Sequence, residues 1–125
     1  ILTEIRVPGA PPRSGSAYLK MAQQASGFAI VGVAAWLRVG TKGRCEDVGV
    51  GVTGLTKNPF RALTVEERLR GNKLTPKLIE ESASQVAEGA DPLEELHASA
   101  KFRAHLAQVY TSRAIQEATR RIRGR

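Results

Sequence analysis

The sequence predicts an α+β fold: a small antiparallel sheet of three to four strands, followed by three helices packed on it as a two-layer sandwich. Three observations carry this. Period-two alternation is confined to about residues 1–58, capped helical periodicity occupies about 64–123, and the period switches only once, after Asn58-Pro59, where βαβ units would alternate. A chain of 125 residues that is 42% hydrophobic supports one core, so residues 1–125 are expected to form a single domain.

The strands come first. Ile1, Thr3, Ile5 and Val7 alternate with Leu2, Glu4 and Arg6, which predicts a strand over 1–7 ended by Pro8-Gly9-Ala10-Pro11-Pro12. After a loop around Gly15, a second strand over 17–23 has Ala17, Leu19 and Met21 on one face and Tyr18, Lys20 and Ala22 on the other. Phe28 to Val39 is nearly all small and apolar, which suits a central strand covered on both sides. Gly40-Thr41-Lys42-Gly43 turns the chain into a fourth strand, where Val48, Val50 and Val52 alternate with Gly49, Gly51 and Thr53.

The helices follow. Thr64-Val65-Glu66-Glu67 reads as a capping box opening a short helix that stops at Gly71. Thr75-Pro76 opens the second with a cap and a first-turn proline, and Ile79, Ala83, Val86 and Ala87 are its buried stripe up to Gly89. Asp91-Pro92 repeats the start signal. The third helix runs from about Ser99 to Ile122, with Phe102, Leu106, Val109, Tyr110, Ala114 and Ala118 on one face.

Net charge is +7, unevenly spread. Residues 1–63 hold eight basic against three acidic groups, 64–100 hold four against eight, and 101–125 hold seven against one. A basic helix end complements its own macrodipole, and the acidic stretch before it offers partners within the chain. The rival reading is a basic module that binds nucleic acid through Arg113, Arg120, Arg121, Arg123 and Arg125. Two Tyr, three Phe and one Trp provide no stacking platform for it, so nucleic acid is not the expected partner.

Gly49-Val50-Gly51-Val52-Thr53-Gly54 matches a dinucleotide fingerprint in letters only. No helix start follows the third glycine, and the glycines are read instead as letting a neighbouring helix or strand approach the sheet. Cys45 is a lone cysteine beside Glu46 and Asp47, which disfavour a thiolate, and its solitude suggests a reducing, cytoplasmic setting. His97 and His105 do not specify a metal site. The adjacent pairs Glu66-Glu67, Glu80-Glu81 and Glu94-Glu95 read as solvated helix surface. No catalytic or metal set is assigned. Lys20 and Tyr18 share one strand face, a cation and an aromatic offered together to an anionic or planar ligand. The longest apolar run, Phe28 to Leu37, is far short of the ~20 residues of a membrane helix. The start at Ile1 without Met, inside an alternating pattern, raises the expectation that the chain is a piece of a longer polypeptide.

Four stretches together resemble a known family: Ile1-Leu2-Thr3-Glu4-Ile5-Arg6-Val7-Pro8, Ser16-Ala17-Tyr18-Leu19-Lys20, Phe28-Ala29-Ile30-Val31-Gly32-Val33-Ala34-Ala35, and Ala98-Ser99-Ala100-Lys101-Phe102-Arg103. In order and spacing they are similar to the C-terminal domain of the FAD-containing medium subunit of molybdenum hydroxylases, the carbon monoxide dehydrogenase and xanthine dehydrogenase family. The resemblance implies a domain that covers FAD while the flavin passes electrons from iron–sulfur clusters to an external acceptor. It also implies that most FAD contacts come from N-terminal domains of the same subunit, with the iron–sulfur small subunit and the molybdenum-cofactor large subunit as partners. The isolated chain is then not catalytic, although the complex is an oxidoreductase. Lys20 in the Tyr-x-Lys block looks like the family's flavin-facing lysine, with Tyr18 ordering it. Gln23-Gln24 and Ser26-Gly27 stand where many relatives have arginines and an aspartate, so contacts of those side chains are not carried over.

Overall fold

Four strands, β1 (Ser14–Ala22), β2 (Ala29–Val39), β3 (Cys45–Thr53) and β4 (Phe60–Arg61), form one sheet in the order β1-β2-β3-β4, each antiparallel to its neighbour. Three helices follow: α1 (Leu63–Leu69), α2 (Pro76–Ala83) and α3 (Ala100–Arg123). The computed structural model describes residues 1–7 and 9–123; Pro8, Gly124 and Arg125 lie outside the described residues, as does the part of the basic tail that the Arg123 side chain and Arg125 contribute. The α+β order and the two layers agree with the sequence reading.

Alternation explains the layering. Ala17 of β1, Val31, Val33, Ala35 and Leu37 of β2, and Val48, Val50 and Val52 of β3 all turn to one side and are buried. From the helices, Val65, Leu69, Ile79, Leu106, Ala107, Ala114, Ile115 and Ala118 meet them. Helix α3 crosses β1 and β2, while α1 packs on β3. At the β1–α3 crossing the two backbones come so close that a Cβ on Gly15 would collide with the carbonyl oxygen of Ala118.

Several boundaries differ from expectation. Residues 1–7 are exposed and form no strand, because a strand requires a partner and none of the described elements pairs with them. The first strand instead begins at Ser14, inside the expected loop. The fourth strand is the two-residue β4, too short for alternation to reveal. Helix α1 has Ala62 at its N-cap with no side-chain cap, so Thr64 lies inside the helix and the capping box does not form. Thr75 does cap α2, accepting a hydrogen bond from the Leu78 amide at 3.2 Å, with Pro76 in the first turn. That helix ends at Ala83, short of Gly89, although Val86 is still buried. Asp91-Pro92 starts no helix; the chain there is tied to the loop that follows β3 by the Leu93 amide donating to the Leu55 carbonyl. Phe102 turns partly outward, and Arg103 takes the buried position beside it. Nor is β2 covered on both sides: Ala34 on its outer face is exposed.

Candidate functional site

The helices cover one side of the sheet, and register composes the other. Tyr18 pairs with Ala34, Ala34 with Gly51 and Gly51 with Arg61, giving a row that crosses all four strands. A second row, Lys20, Gly32 and Thr53, flanks it on one side; a third, Ser16, Trp36 and Gly49, flanks it on the other. In the central row only Ala34 and Gly51 stand between Tyr18 and Arg61, while Trp36 rises from β2 in the row beside it. Two adjoining depressions, of about 400 and 470 Å³, both include Tyr18, Ala34, Gly51 and Arg61.

Gly49 and Gly51 belong to this floor. A Cβ at Gly51 would meet nothing within 4 Å, and one at Gly49 only the Nη2 of Arg61 at 3.7 Å. No described helix or strand approaches there, which corrects the expectation that these glycines admit one. Gly32 differs: a Cβ would stand 2.5 Å from the Tyr18 hydroxyl oxygen and 3.0 Å from the Thr53 methyl. The Tyr18 ring therefore lies across β2 and depends on the missing side chain.

Lys20 and Tyr18 do share the outer face. The Lys20 Nζ donates to the Gly27 carbonyl at 2.8 Å, across the β1–β2 hairpin. The Gln23 amide donates to Phe28 and the Gly27 amide to Gln23, both at 2.8 Å, and these bonds fix that carbonyl. The Gln23 side chain accepts from the Ser26 amide at 2.7 Å and from its hydroxyl. Three of the four residues that depart from the resemblance, Gln23, Ser26 and Gly27, thus shape the turn to which Lys20 is tied.

Arg61 and Glu66 escaped the sequence reading. Glu66, expected on a solvated surface, is only 2% exposed: its Oε1 accepts from the Val50 amide at 2.9 Å and from Arg61 Nε at 3.0 Å, and its Oε2 from Arg61 Nη2 at 2.6 Å. The signal available was spacing, since Glu66 lies three residues before Leu69 on the buried face of α1.

The remaining candidates are dispersed. Cys45 is buried, and burial pushes its thiol up to about 11; Arg70 opposes this and Asp47 adds to it. His97 and His105 are both exposed, on the loop before α3 and on α3 itself. Arg120 and Arg121 both pair with Glu117, and Arg121 also donates to the Ser16 carbonyl at 2.7 Å. Arg113 stands over the Tyr110 ring at 5.7 Å. A hollow of about 490 Å³ between residues 56–65 and 85–91 has Lys57, Glu88 and Asp91 at its exposed rim, with no buried polar group converging on it. No described helix is long and apolar enough to cross a membrane.

Comparison with known proteins agrees with this architecture. The chain is 30% identical, over 94% of its length, to the glyceraldehyde dehydrogenase medium chain of Sulfolobus acidocaldarius, and it covers 41% of that protein. It is 27% identical, over 98% of its length, to the 6-hydroxypseudooxynicotine dehydrogenase complex subunit alpha of Paenarthrobacter nicotinovorans, of which it covers 42%. Its fold superposes on a carbon monoxide dehydrogenase chain from Hydrogenophaga pseudoflava with a TM-score of 0.85 at 23% identity, covering 92% of this chain and 40% of that one. The chain thus spans about two fifths of the length of these relatives. The model of the CO dehydrogenase flavoprotein C-terminal domain matches residues 16–118, nearly the whole of the sheet and helices. The chain belongs to the CO dehydrogenase flavoprotein C-terminal domain family.

Proposed function

We propose that this chain is the C-terminal domain of the flavoprotein subunit of a molybdenum hydroxylase, and that the bare face of its sheet covers the isoalloxazine ring of FAD. The observation that carries this reading is the row Tyr18, Ala34, Gly51 and Arg61: a floor almost without side chains between an aromatic wall and a cationic one. Such a floor suits a planar group, which packs against backbone at van der Waals distance and turns its polar edges to the walls. FAD, when bound, supplies the exchange of electrons between iron–sulfur clusters and an external acceptor.

The chain's own residues bind and orient. Lys20, the register partner of Gly32, is drawn to the Gly27 carbonyl at the hairpin end of this face and sets a cation beyond the Tyr18 row, where it favours negative charge on the reduced ring. Tyr18, lying across Gly32, closes that side, while the lysine donates its hydrogen bond to Gly27 and not to Tyr18. Among the described residues no glycine-rich loop leads into a helix N-terminus, and the pyrophosphate is assigned to N-terminal domains of the same subunit. An iron–sulfur subunit and a molybdenum-cofactor subunit complete the complex, which works in the cytoplasm; the chain by itself is not catalytic. The pairing of Arg120 and Arg121 with Glu117 weighs against the nucleic-acid reading of α3.

Replacing Lys20 tests the proposal in the complete flavoprotein complex. Lys20→Ala is expected to lower the FAD-to-protein ratio or slow flavin reduction while the unfolding temperature stays near that of the parent. Unchanged flavin content and reduction kinetics would leave Lys20 as a surface side chain that merely braces its hairpin.

A further inference from the structure

We infer that Arg61 is a second flavin-facing cation of this sheet, and that the buried carboxylate of Glu66 is what positions it. The inference rests on the covering-face reading above and adds to it a residue on the opposite edge from Lys20.

The Arg61–Glu66 pair is asymmetric. In a surface ion pair both partners are wet, and in a core pair both are dry. Here the Glu66 side chain is 2% exposed while that of Arg61 is 62% exposed. Taking a carboxylate out of water is costly unless its oxygens are fully engaged, and those of Glu66 are engaged by Val50 and by two nitrogens of Arg61. A guanidinium has five N–H donors, and the carboxylate uses two of them. Three are left, on Nη1 and Nη2, and among the described residues no protein acceptor meets them. The fold therefore buries the anion and presents the cation.

Register decides where it is presented. Arg61 pairs with Gly51, and its Nη2 comes within 3.7 Å of the place a Cβ on Gly49 would occupy. The guanidinium consequently lies along the floor of both depressions, facing Tyr18 across three inter-strand spacings, roughly 14 Å. A charged donor fork at that edge suits the carbonyl-bearing pyrimidine side of the ring, which becomes more negative on reduction. Arginine keeps its charge throughout the working pH range. Glu66 acts through Arg61 and is a positioning residue.

The test uses the assembled complex and two variants. Arg61→Gln combined with Glu66→Gln withdraws the cation together with the buried charge it neutralises, so the unfolding temperature should stay close to that of the parent. Its FAD should dissociate about tenfold faster, as expected for the loss of one charge-assisted hydrogen bond, and spectroelectrochemical titration should find the flavin potential shifted negative. Arg61→Lys keeps the charge but removes the fork: FAD retention should fall while most of the potential is preserved. If parent-like retention and potential persist in the double variant while Lys20→Ala still lowers FAD content, Arg61 only clamps α1 and the inference is wrong. If neither position affects the flavin, the covering-face reading falls as well. Should the double variant fail to assemble, Arg61→Lys decides alone, with unchanged FAD retention overturning the inference.

Discussion

Arg103, in the first turn of α3, donates to the carbonyl oxygen of Ile30 at 2.5 Å, joining residues 73 apart in the chain. The same nitrogen reaches the Gly54 carbonyl at 2.7 Å, the other terminal nitrogen meets Glu95, and the side chain is 2% exposed. One guanidinium thus ties the entrance of β2 and the exit of β3 to the helix that covers them. Arg103→Met leaves two carbonyls without their donor and releases the half-exposed Glu95 to water, and is expected to cost about 2–4 kcal/mol of unfolding free energy. Urea denaturation measures it; a loss below about 0.5 kcal/mol, the range of ordinary surface substitutions, would contradict the buried role.

The two threonines that look alike in sequence should behave differently. Thr75 caps α2, so Thr75→Ala should destabilise by about 1 kcal/mol. Thr64 caps nothing and lies within α1, where alanine is the better helix former, so Thr64→Ala should be neutral or slightly stabilising. Paired thermal melts of the two variants check the contrast, and equal losses would mean that α1 begins at Thr64 after all.

Acid should act early on the end of α3. Hydrogen bonds from Arg120 and then Arg121 hold the Glu117 carboxyl down at about 2, against roughly 4.3 for a free glutamate. A lowered carboxyl stabilises the folded state above its unfolded value and loses that contribution as pH falls from near 4.3 toward 2. Both arginines are exposed and salt screens the cluster, so the contribution is small. Carboxyl-carbon NMR should find the Glu117 midpoint near 2 and raised by Arg120→Ala. A midpoint near 4.3 in the parent would show that the cluster does not form in solution.

How much the sequence reveals depends on whether local pattern or distant pairing decides each element. The valines of β3 and the apolar run of β2 are legible because burial on one face writes itself at period two, and Thr75-Pro76 is legible because a cap is local chemistry. Residues 1–7 alternate just as well yet form no strand, since alternation records a face to be buried and says nothing about a partner. For the candidate site, Tyr18 and Lys20 could be named because they share a strand. Arg61 could not, since its place follows from the β3–β4 register and from a carboxylate five residues on. Glu66 and Arg103 were hidden by their charge: composition places such residues in water, and only tertiary structure shows the partners that let them leave it.

Helix α3 lies across β1 and β2 but follows them by some sixty to eighty residues. As the chain leaves the ribosome, the first hairpin emerges with Val31, Val33 and Leu37 bare, and nothing can shield them until residues as late as Ala118 have been made. Collapse must wait for the final helix to swing back, a long-range closure that slows folding relative to a bundle of neighbouring helices. During that interval the bare face of the hairpin is open to non-native association, and a polypeptide interrupted before α3 is expected to aggregate.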